Sequence, residues 1–454
     1  MHIRLPREIK EFASRLKDAG FQCFLVGGAI RDLLLGRPVK DFDLATDALP
    51  RQVMNVFSRV IPTGIQHGTV TVLYKSRQLE VTTFRVDGKY EDFRRPKQVE
   101  YAATIFEDLK RRDFTINALA YDLLTGELLD PFHGRTDLKK KIIRAIGDPL
   151  ERFKEDALRT LRACRFACAF DFTIEKNTMR GITDTAALIK KISGERVRDE
   201  LIKILETRLP SSGFELLAKT GLLHFIIPEL ESCRDIKQPS MHCFDVYFHS
   251  LYSCDAAPAD NLTVRLSSLL HDIGKPLTET RNAEGDLRFF GHEKKSGELA
   301  ERILKRLKFP NAVISGVRHL ILHHMFSYDD SWSDAAVRRF LRRVGTGNID
   351  DLFLLRMADQ VGMCNRPVST STLERFKERI NDVLSGAAVL SLTDLCIDGN
   401  DIMRELGIGP GEQVGRILEY LLEAVLDDPA QNTRETLLTL ARNFFDTRLK
   451  PFVD

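Results

Sequence analysis

The chain has 454 residues, 43% hydrophobic and 29% charged, which is the mixture of a globular protein and excludes disordered, collagen-like and low-complexity classes. Its 67 Lys and Arg against 65 Asp and Glu leave a net charge of +2, which excludes a histone-like polycation but not a basic face for nucleic acid. The length exceeds what one hydrophobic core serves, so two or more domains are expected.

No window approaches the ~20 apolar residues of a membrane span. The opening stretch MHIRLPREIKEFASRLKDAG is charged throughout, unlike a secretory signal. The eight cysteines (Cys23, Cys164, Cys168, Cys233, Cys243, Cys254, Cys364, Cys396) include no CxxC pair. Reduced thiols in a cytoplasmic protein are expected, without structural zinc and without a membrane partner.

In chain order, FQCFLVGG (21–28) predicts a strand ending in a glycine turn. FDLAT (42–46), GTVTVLY (68–74) and LEVTTFR (79–85) predict further strands, rich in β-branched residues. Beyond about Leu138 strand signals almost vanish and helical patterning takes over, with helices near 151–169 and 193–208. A His-rich stretch runs from His242 to Asp359, NRPVST (365–370) predicts a linker, and IGPGEQ (408–413) a turn. The expected fold is α+β: a head with a mixed sheet and helices on a long all-α body.

LVGGAIRDLLLGRPVKDFDLAT (25–46) carries the first chemistry. Gly27 and Gly28 end a strand and open a helix, letting phosphates approach the backbone, while Arg31, beside Asp32, offers two donors to a phosphate. Asp41 and Asp43, two apart on a strand, face the same way and can hold two Mg²⁺ ions between a hydroxyl and a triphosphate. The string GGxxRD followed by DFD resembles the active-site signature of the nucleotidyltransferase superfamily that includes DNA polymerase β, and Glu80 is the candidate third carboxylate.

Two further strings bear on the nucleotide. In RRDFTINALAY (111–121), Arg112 can pair with triphosphate oxygens, while Asp113 and Asn117, at helical spacing, can bond ribose hydroxyls. In EDALRTLRACRFA (155–167), a helix would put Ala157, Leu161, Cys164 and Cys168 on an apolar face and Asp156, Arg159, Arg162 and Arg165 on the other. Asp accepts hydrogen bonds and Arg donates. Cytosine presents its N4 amino group beside the N3 acceptor, and adenine its N6 amino group beside N1, so both fit Asp156 and Arg159. Uracil and guanine present the reverse pattern and leave like groups facing, at about 1–3 kcal/mol each. A site that selects C and A together without a template points to a CCA end.

With these motifs and HGTVTV, DPLERFKEDALRTLRACRFA and ISGERVRDEL in the same order, the chain resembles bacterial class II tRNA nucleotidyltransferases, the CCA-adding enzymes, over nearly its whole length. The resemblance implies a catalytic polymerase-β-like head (1–138), a helical neck that reads the base (139–208), a helical body (209–366) and a helical tail that binds tRNA (367–454). It implies Asp41 and Asp43 as Mg²⁺ ligands, Gly28, Arg31, Arg112, Asp156, Arg159, Arg162 and Arg165 as nucleotide-binding residues, and tRNA, CTP and ATP as partners of a monomer or homodimer. PTGIQHGTVTVLY (62–74) and the mixed charge of the C-terminus separate the chain from bacterial poly(A) polymerases. The intact loop RVDGKYEDFRRPKQV (85–99) separates it from CC-only enzymes. An A-adding-only enzyme stays open.

In the His-rich stretch, His249, His271–Asp272 and Asp359 resemble the H…HD…D set of HD phosphohydrolases, with His292 and His323 or His324 as further ligands. Mixed His and carboxylate ligands suit Mn²⁺, Ni²⁺ or Mg²⁺. The resemblance implies an auxiliary phosphatase or 2′,3′-cyclic phosphodiesterase activity; the alternative is a phosphohydrolase whose head only docks RNA. Arg338, Arg339, Arg342 and Arg343, on one broad helical stripe, are candidate contacts to RNA phosphates.

Overall fold

β-Branched runs in the first third of the chain pair into one sheet. In the computed structural model, which describes residues 5–39, 41–87, 99–239, 242–386 and 389–449, these strands are β1 (Phe24–Val26), β2 (Asp43–Thr46), β3 (Val60–Gly64), β4 (Thr69–Tyr74), β5 (Arg77–Thr83), β6 (Arg85–Asp87), β7 (Val99–Tyr101), β8 (Ala120–Asp122) and β9 (Leu128–Leu129). Seven form a mixed sheet in the order β3-β4-β5-β2-β1-β8-β9, and β6 pairs with β7 separately. Every pairing in the seven-stranded sheet is antiparallel except β2 with β5, whose parallel register sets Asp43 opposite Glu80. The alternation in β4 buries Val70, Val72 and Tyr74 on one face.

The predicted strands are present, with shorter bounds at 21–28. β1 stops at Val26 because Gly27 takes φ 70° and turns the chain into the helix Gly28–Leu34. β3, β8 and β9 carried no readable signal: β3 contains Pro62 and is mostly exposed, while β8 and β9 span only 3 and 2 residues. After Leu138 the described strands are two-residue pairs, Ile142–Ile143 with Thr173–Ile174 and Thr280–Arg281 with Leu287–Arg288, and the rest is helical. Of the predicted loop 85–99, residues 88–98 lie outside the described residues.

The expected continuous helix through 155–167 is two helices, Pro149–Glu155 and Leu158–Phe170, with Asp156 in the break. The carboxylate of Asp156 accepts from the Leu158 N–H at 3.1 Å, acting as a cap. The second helix is buried nearly all round, not on one narrow face, with Leu158, Arg159, Thr160, Leu161, Ala163, Cys164, Phe166 and Ala167 all inside. Likewise 113–117 is not an α-helix but a 3₁₀ turn over Thr115–Asn117.

The chain divides into two compact units, residues 1–232 with 303–309 and residues 233–302 with 310–454. In the second, Phe376 is fully buried and sits 4.1 Å from Tyr328, 5.1 Å from Phe340, 5.4 Å from Phe353 and 5.5 Å from Trp332, centroid to centroid. A separate core gathers Ile417, Leu421 and Val425 of the helix Glu412–Asp427 against Leu437 and Ala441.

Two expectations are corrected in this unit. Cys243 and Cys364, 121 residues apart, are joined as a disulfide, which no spacing motif announces; the other six cysteines are thiols outside any disulfide. The arginine stripe on the helix Asp334–Val344 does not stand clear for RNA. Arg338 is buried and donates to the carbonyls of Leu426 at 2.7 Å and Asp427 at 3.0 Å, satisfying the end of the helix Glu412–Asp427. Arg339 pairs with Glu423 and Asp427, Arg342 with Glu423 and Glu419, and Arg343 lies over the Phe340 ring. Arg338, Arg339 and Arg342 clamp two helices together, while Arg343 lies along its own helix.

Because Phe376 packs against these four aromatic neighbours and has no solvent to relax into, Phe376→Ala is expected to cost about 3–5 kcal/mol. Urea unfolding checks this; a loss below about 1 kcal/mol would show that the ring cluster is not a stability centre.

Candidate functional site

The sheet and the two helices around Asp156 enclose a cleft of about 580 Å³ within the first unit, a size suited to a nucleotide. Its lining includes Gly27, Gly28, Arg31, Asp43, Glu80, Arg112, Asp113, Asn117, Asp156, Arg159, Arg162 and Arg165, so the carboxylates on the strands and the residues expected to read a base share one space. Arg85 and Arg111 bring the arginines to seven, against four carboxylates (Asp43, Glu80, Asp113, Asp156). That surplus suits a polyanion.

The acidic end follows from the parallel register of β2 and β5. Burial pushes the Asp43 carboxyl above its ordinary range, Glu80 and Asp41 add to this, and Arg112 opposes it. Asp41, two residues before, is not in the cleft lining. Crowded carboxylates that resist ionising are relieved by a divalent cation, and all three donors are hard oxygens, so the set fits Mg²⁺. Gly27 closes the cleft beneath: a Cβ there would stand 2.8 Å from Arg112 Nη1.

Six of the cleft arginines, Arg31, Arg111, Arg112, Arg159, Arg162 and Arg165, each pair with an acid. Arg112 bonds Asp108 at 2.9 Å and Arg111 bonds it at 2.7 Å. Asp108 is buried, which opposes its charge, yet the two guanidiniums hold its carboxyl below the usual range. Sequence reasoning missed Asp108, although its i+3 and i+4 spacing to the two arginines is the signal. Arg31 forks onto Asp32 at 2.9 and 3.0 Å, donates to Asn117 Oδ1 at 2.7 Å, and lies 4.5 Å from the Phe170 ring centre. Asp113 takes two bonds from Arg162, at 2.9 and 2.7 Å, and accepts from Asn117 Nδ2 at 3.0 Å. Despite burial, Arg162 and Asn117 bring the Asp113 carboxyl down to about 2. Asp113 and Asn117, expected as ribose partners, are thus committed to Arg162, Arg31 and each other.

Asp156 and Arg159, the expected base readers, have separate supports. Asp156 Oδ2 accepts from Arg196 at 2.8 Å, while Arg159 donates to Glu155 at 2.6 Å and to the Arg111 carbonyl at 3.1 Å. Arg165 stands 2.9 Å from the buried Glu200 and stacks 4.0 Å over Phe166; burial lowers its guanidinium to about 10 against the pull of Glu200. Arg196 and Glu200 both lie in the string ISGERVRDEL, which carried the resemblance without roles for them.

A second cluster lies in the other unit, on three helices and at the ends of two more. His249 comes from the helix Val246–Ala256, His271 and Asp272 follow Leu262–Leu270, His292 opens His292–Arg306, His324 follows Asn311–His323, and Asp359 sits on Ile349–Cys364. All are buried. His249 Nε2 lies 3.0 Å from His271 Nε2, 3.1 Å from Asp359 Oδ1 and 3.3 Å from Asp272 Oδ2. Lys275 bonds Asp272 Oδ2 at 2.6 Å and Arg356 bonds Asp359 Oδ2 at 2.8 Å. Burial disfavours a charged His271, but Asp272 and Asp359 raise it to about 10. The cluster calls for positive charge among lone pairs, which fits a metal ion. Of His323 and His324, His324 joins the cluster; His323 instead meets His319 edge-on, with ring centres 4.6 Å apart.

Three family models match the chain: a poly A polymerase head domain over residues 23–144, a probable RNA and SrmB-binding site of polymerase A over 171–234, and a putative tRNA nucleotidyltransferase domain 2 over 289–441. A CCA-adding enzyme of Streptococcus gordonii is 34% identical over 95% of this chain and 97% of its own length, and one of Enterococcus faecalis is 32% identical over 96% and 97%. Among solved structures, the Bacillus stearothermophilus CCA-adding enzyme in complex with CTP is similar with a TM-score of 0.73 and 27% identity, covering 97% of this chain and 98% of that one. With a polymerase-β-like head, a helical remainder and relatives matched from end to end, the chain belongs to the CCA-adding enzymes, the class II tRNA nucleotidyltransferases.

Proposed function

We propose that this chain adds C, C and A to tRNA 3′ ends from CTP and ATP and releases pyrophosphate. The observation that carries this reading is the shared cleft, in which Asp43 and Glu80 face the same space as Asp156 and Arg159. The terminal hydroxyl attacks the α-phosphate and pyrophosphate leaves. Asp41, Asp43 and Glu80 are the residues that would hold Mg²⁺, which when bound lowers the charge barrier between hydroxyl and phosphate. Arg31 and Arg112 each use three of five N–H donors on protein partners, which fixes the guanidinium planes and keeps donors for the triphosphate. Asp156 accepts from the exocyclic amine of C or A and Arg159 donates to the neighbouring ring nitrogen.

Asp43→Ala is expected to abolish incorporation, read as transfer of α-labelled CTP and ATP onto tRNA ending before CCA, in C and in CC. Wild-type-like transfer would remove the assignment, and transfer of ATP alone would make this an A-adding enzyme. For Asp156→Ala, the loss of one acceptor predicts that UTP or GTP is admitted, with selectivity falling by about 1–3 kcal/mol, or about 5- to 150-fold. Unchanged CTP and ATP preference would place base choice elsewhere.

A stability readout isolates the acidic end. The Asp43 carboxyl is raised in the folded chain, so its charge opposes folding of the metal-free protein at pH values above its folded pKa. Asp43→Asn is expected to raise the metal-free unfolding midpoint near pH 7. The gain should shrink as the pH falls through the folded pKa, where the wild-type carboxyl takes up its proton. Equal midpoints at neutral pH would show that no charge is crowded there.

The buried cluster of His249, His271, Asp272 and Asp359 supports a second, metal-dependent phosphohydrolase activity on phosphate esters at RNA ends. Its check is hydrolysis of a 2′,3′-cyclic nucleotide with added Mn²⁺ or Ni²⁺, expected to be lost in Asp272→Ala while CTP transfer persists. Equal hydrolysis by the two proteins would dismiss it. Hydrolysis without any CTP transfer by the parent chain would favour a hydrolase with a docking head.

A further inference from the structure

The cleft has two sides, set by the strand order β4-β5-β2-β1. Asp43 and Glu80, paired across β2 and β5, stand between them. On the β1 side lie Gly27, Gly28, Arg31 and Arg112, the groups suited to a triphosphate. On the β5 and β4 side the lining continues as Thr82, Thr69 and Arg85. Displacement at a phosphorus runs in line, with the entering and departing oxygens on opposite sides. Pyrophosphate that departs toward Arg31 and Arg112 therefore requires the attacking hydroxyl to arrive from the side of Thr82 and Thr69.

That side carries groups which nucleotide binding does not use. Thr69 Oγ1 and Thr82 Oγ1, opposite each other across β4 and β5, lie 3.0 Å apart. One hydroxyl donates to the other, so one O–H is left for an outside acceptor such as a ribose or phosphate oxygen. Arg85 opens β6, and its register partner on β7 is Tyr101. Directly opposite residues of an antiparallel pair leave the same face with Cβ atoms about 5 Å apart, so Tyr101 stands beside Arg85 at the edge of the cleft. Tyr101 is 46% exposed, and among the described residues no other ring stacks on it. Phe106, on the helix Ile105–Lys110, is 49% exposed, but its ring is already stacked on Phe132 with centres 5.7 Å apart.

We infer that Thr69, Thr82, Arg85 and Tyr101 form the acceptor side of the cleft, where the Tyr101 ring stacks on the unpaired terminal base of the RNA and positions its 3′-hydroxyl. This deepens the transferase reading above and rests on it. The acceptor ends in one base before the first addition and in C before the second and third. A hydrogen-bonding pocket fitted to one terminal base would reject another, whereas a ring accepts each, because every base has a π face. Unpaired RNA bases splayed onto aromatic side chains are recognised in this way. Tyr101 is thus a positioning residue for the acceptor, separate from the choice of incoming base at Asp156 and Arg159.

The test is transfer of α-labelled CTP by the full-length chain onto tRNA ending before CCA, and onto the same tRNA with an abasic terminal nucleotide that keeps its ribose hydroxyls. Tyr101→Ala is expected to lower kcat/KM for the intact RNA roughly tenfold, the order of one lost base stack, with KM for CTP unchanged. Tyr101→Phe should restore it, because the ring face is kept. The abasic end should slow the wild-type chain by a similar factor and slow Tyr101→Ala no further. Phe106→Ala should match the wild type on both RNAs, and circular dichroism of all variants should coincide. Wild-type kcat/KM in Tyr101→Ala, a full abasic penalty retained in that variant, or a matching rise in its KM for CTP would overturn the acceptor site. No CTP transfer by the wild-type chain onto intact tRNA would instead remove the transferase reading, and this site with it.

Discussion

The buried pair between Asp113 and Arg162 is the constraint on which the cleft depends. It ties the 3₁₀ turn Thr115–Asn117, which leads into β8 of the sheet, to the helix Leu158–Phe170. The sheet carries Asp43 and Glu80, while Asp156 and Arg159 stand at the start of that helix, so this pair spans the two kinds of chemistry. Asp113 is buried and Arg162 half-buried, so removing the guanidinium would leave the Asp113 charge uncompensated inside the protein. The depressed Asp113 carboxyl, near 2, expresses the same coupling: the stability it supplies is present above the unfolded carboxylate range and is lost as pH falls through the folded value.

The same logic recurs along the cleft wall. Long arginine side chains hold about 2 kcal/mol of rotamer entropy, and a triphosphate that had to order several of them would bind weakly. Asp108 behind Arg111 and Arg112, Asp32 behind Arg31, Glu155 behind Arg159 and Glu200 behind Arg165 order them during folding instead. The nucleotide then meets a surface whose positive charges are already aimed.

The histidine cluster uses a different device for the same end. His271, His292 and His324 each return their Nδ1–H to the carbonyl three residues earlier, at Ser268, Phe289 and Ile321. A backbone carbonyl is a fixed acceptor, so the lone pair of the opposite nitrogen points inward without help from solvent. The Cys243–Cys364 disulfide ties the loop before the His249 helix to the end of the helix that carries Asp359.

The amino-acid sequence by itself determined the residue types, the α+β order and most of the chemistry-bearing strings, because strand alternation, glycine turns and the DxD, RRD and HD spacings are local. It could not place the break at Asp156, since the apolar pattern runs straight through it. Nor could it show that Arg338, Arg339 and Arg342 are spent on Leu426, Asp427, Glu423 and Glu419, because a basic stripe reads alike whether it faces solvent or a partner helix 80 residues on. Tertiary structure alone decided which acid stands behind which arginine, and which two oxygens of Asp272 face which histidines. Those are distances between residues far apart in the chain, set by packing and by the need to satisfy each buried charge, and no local pattern encodes them.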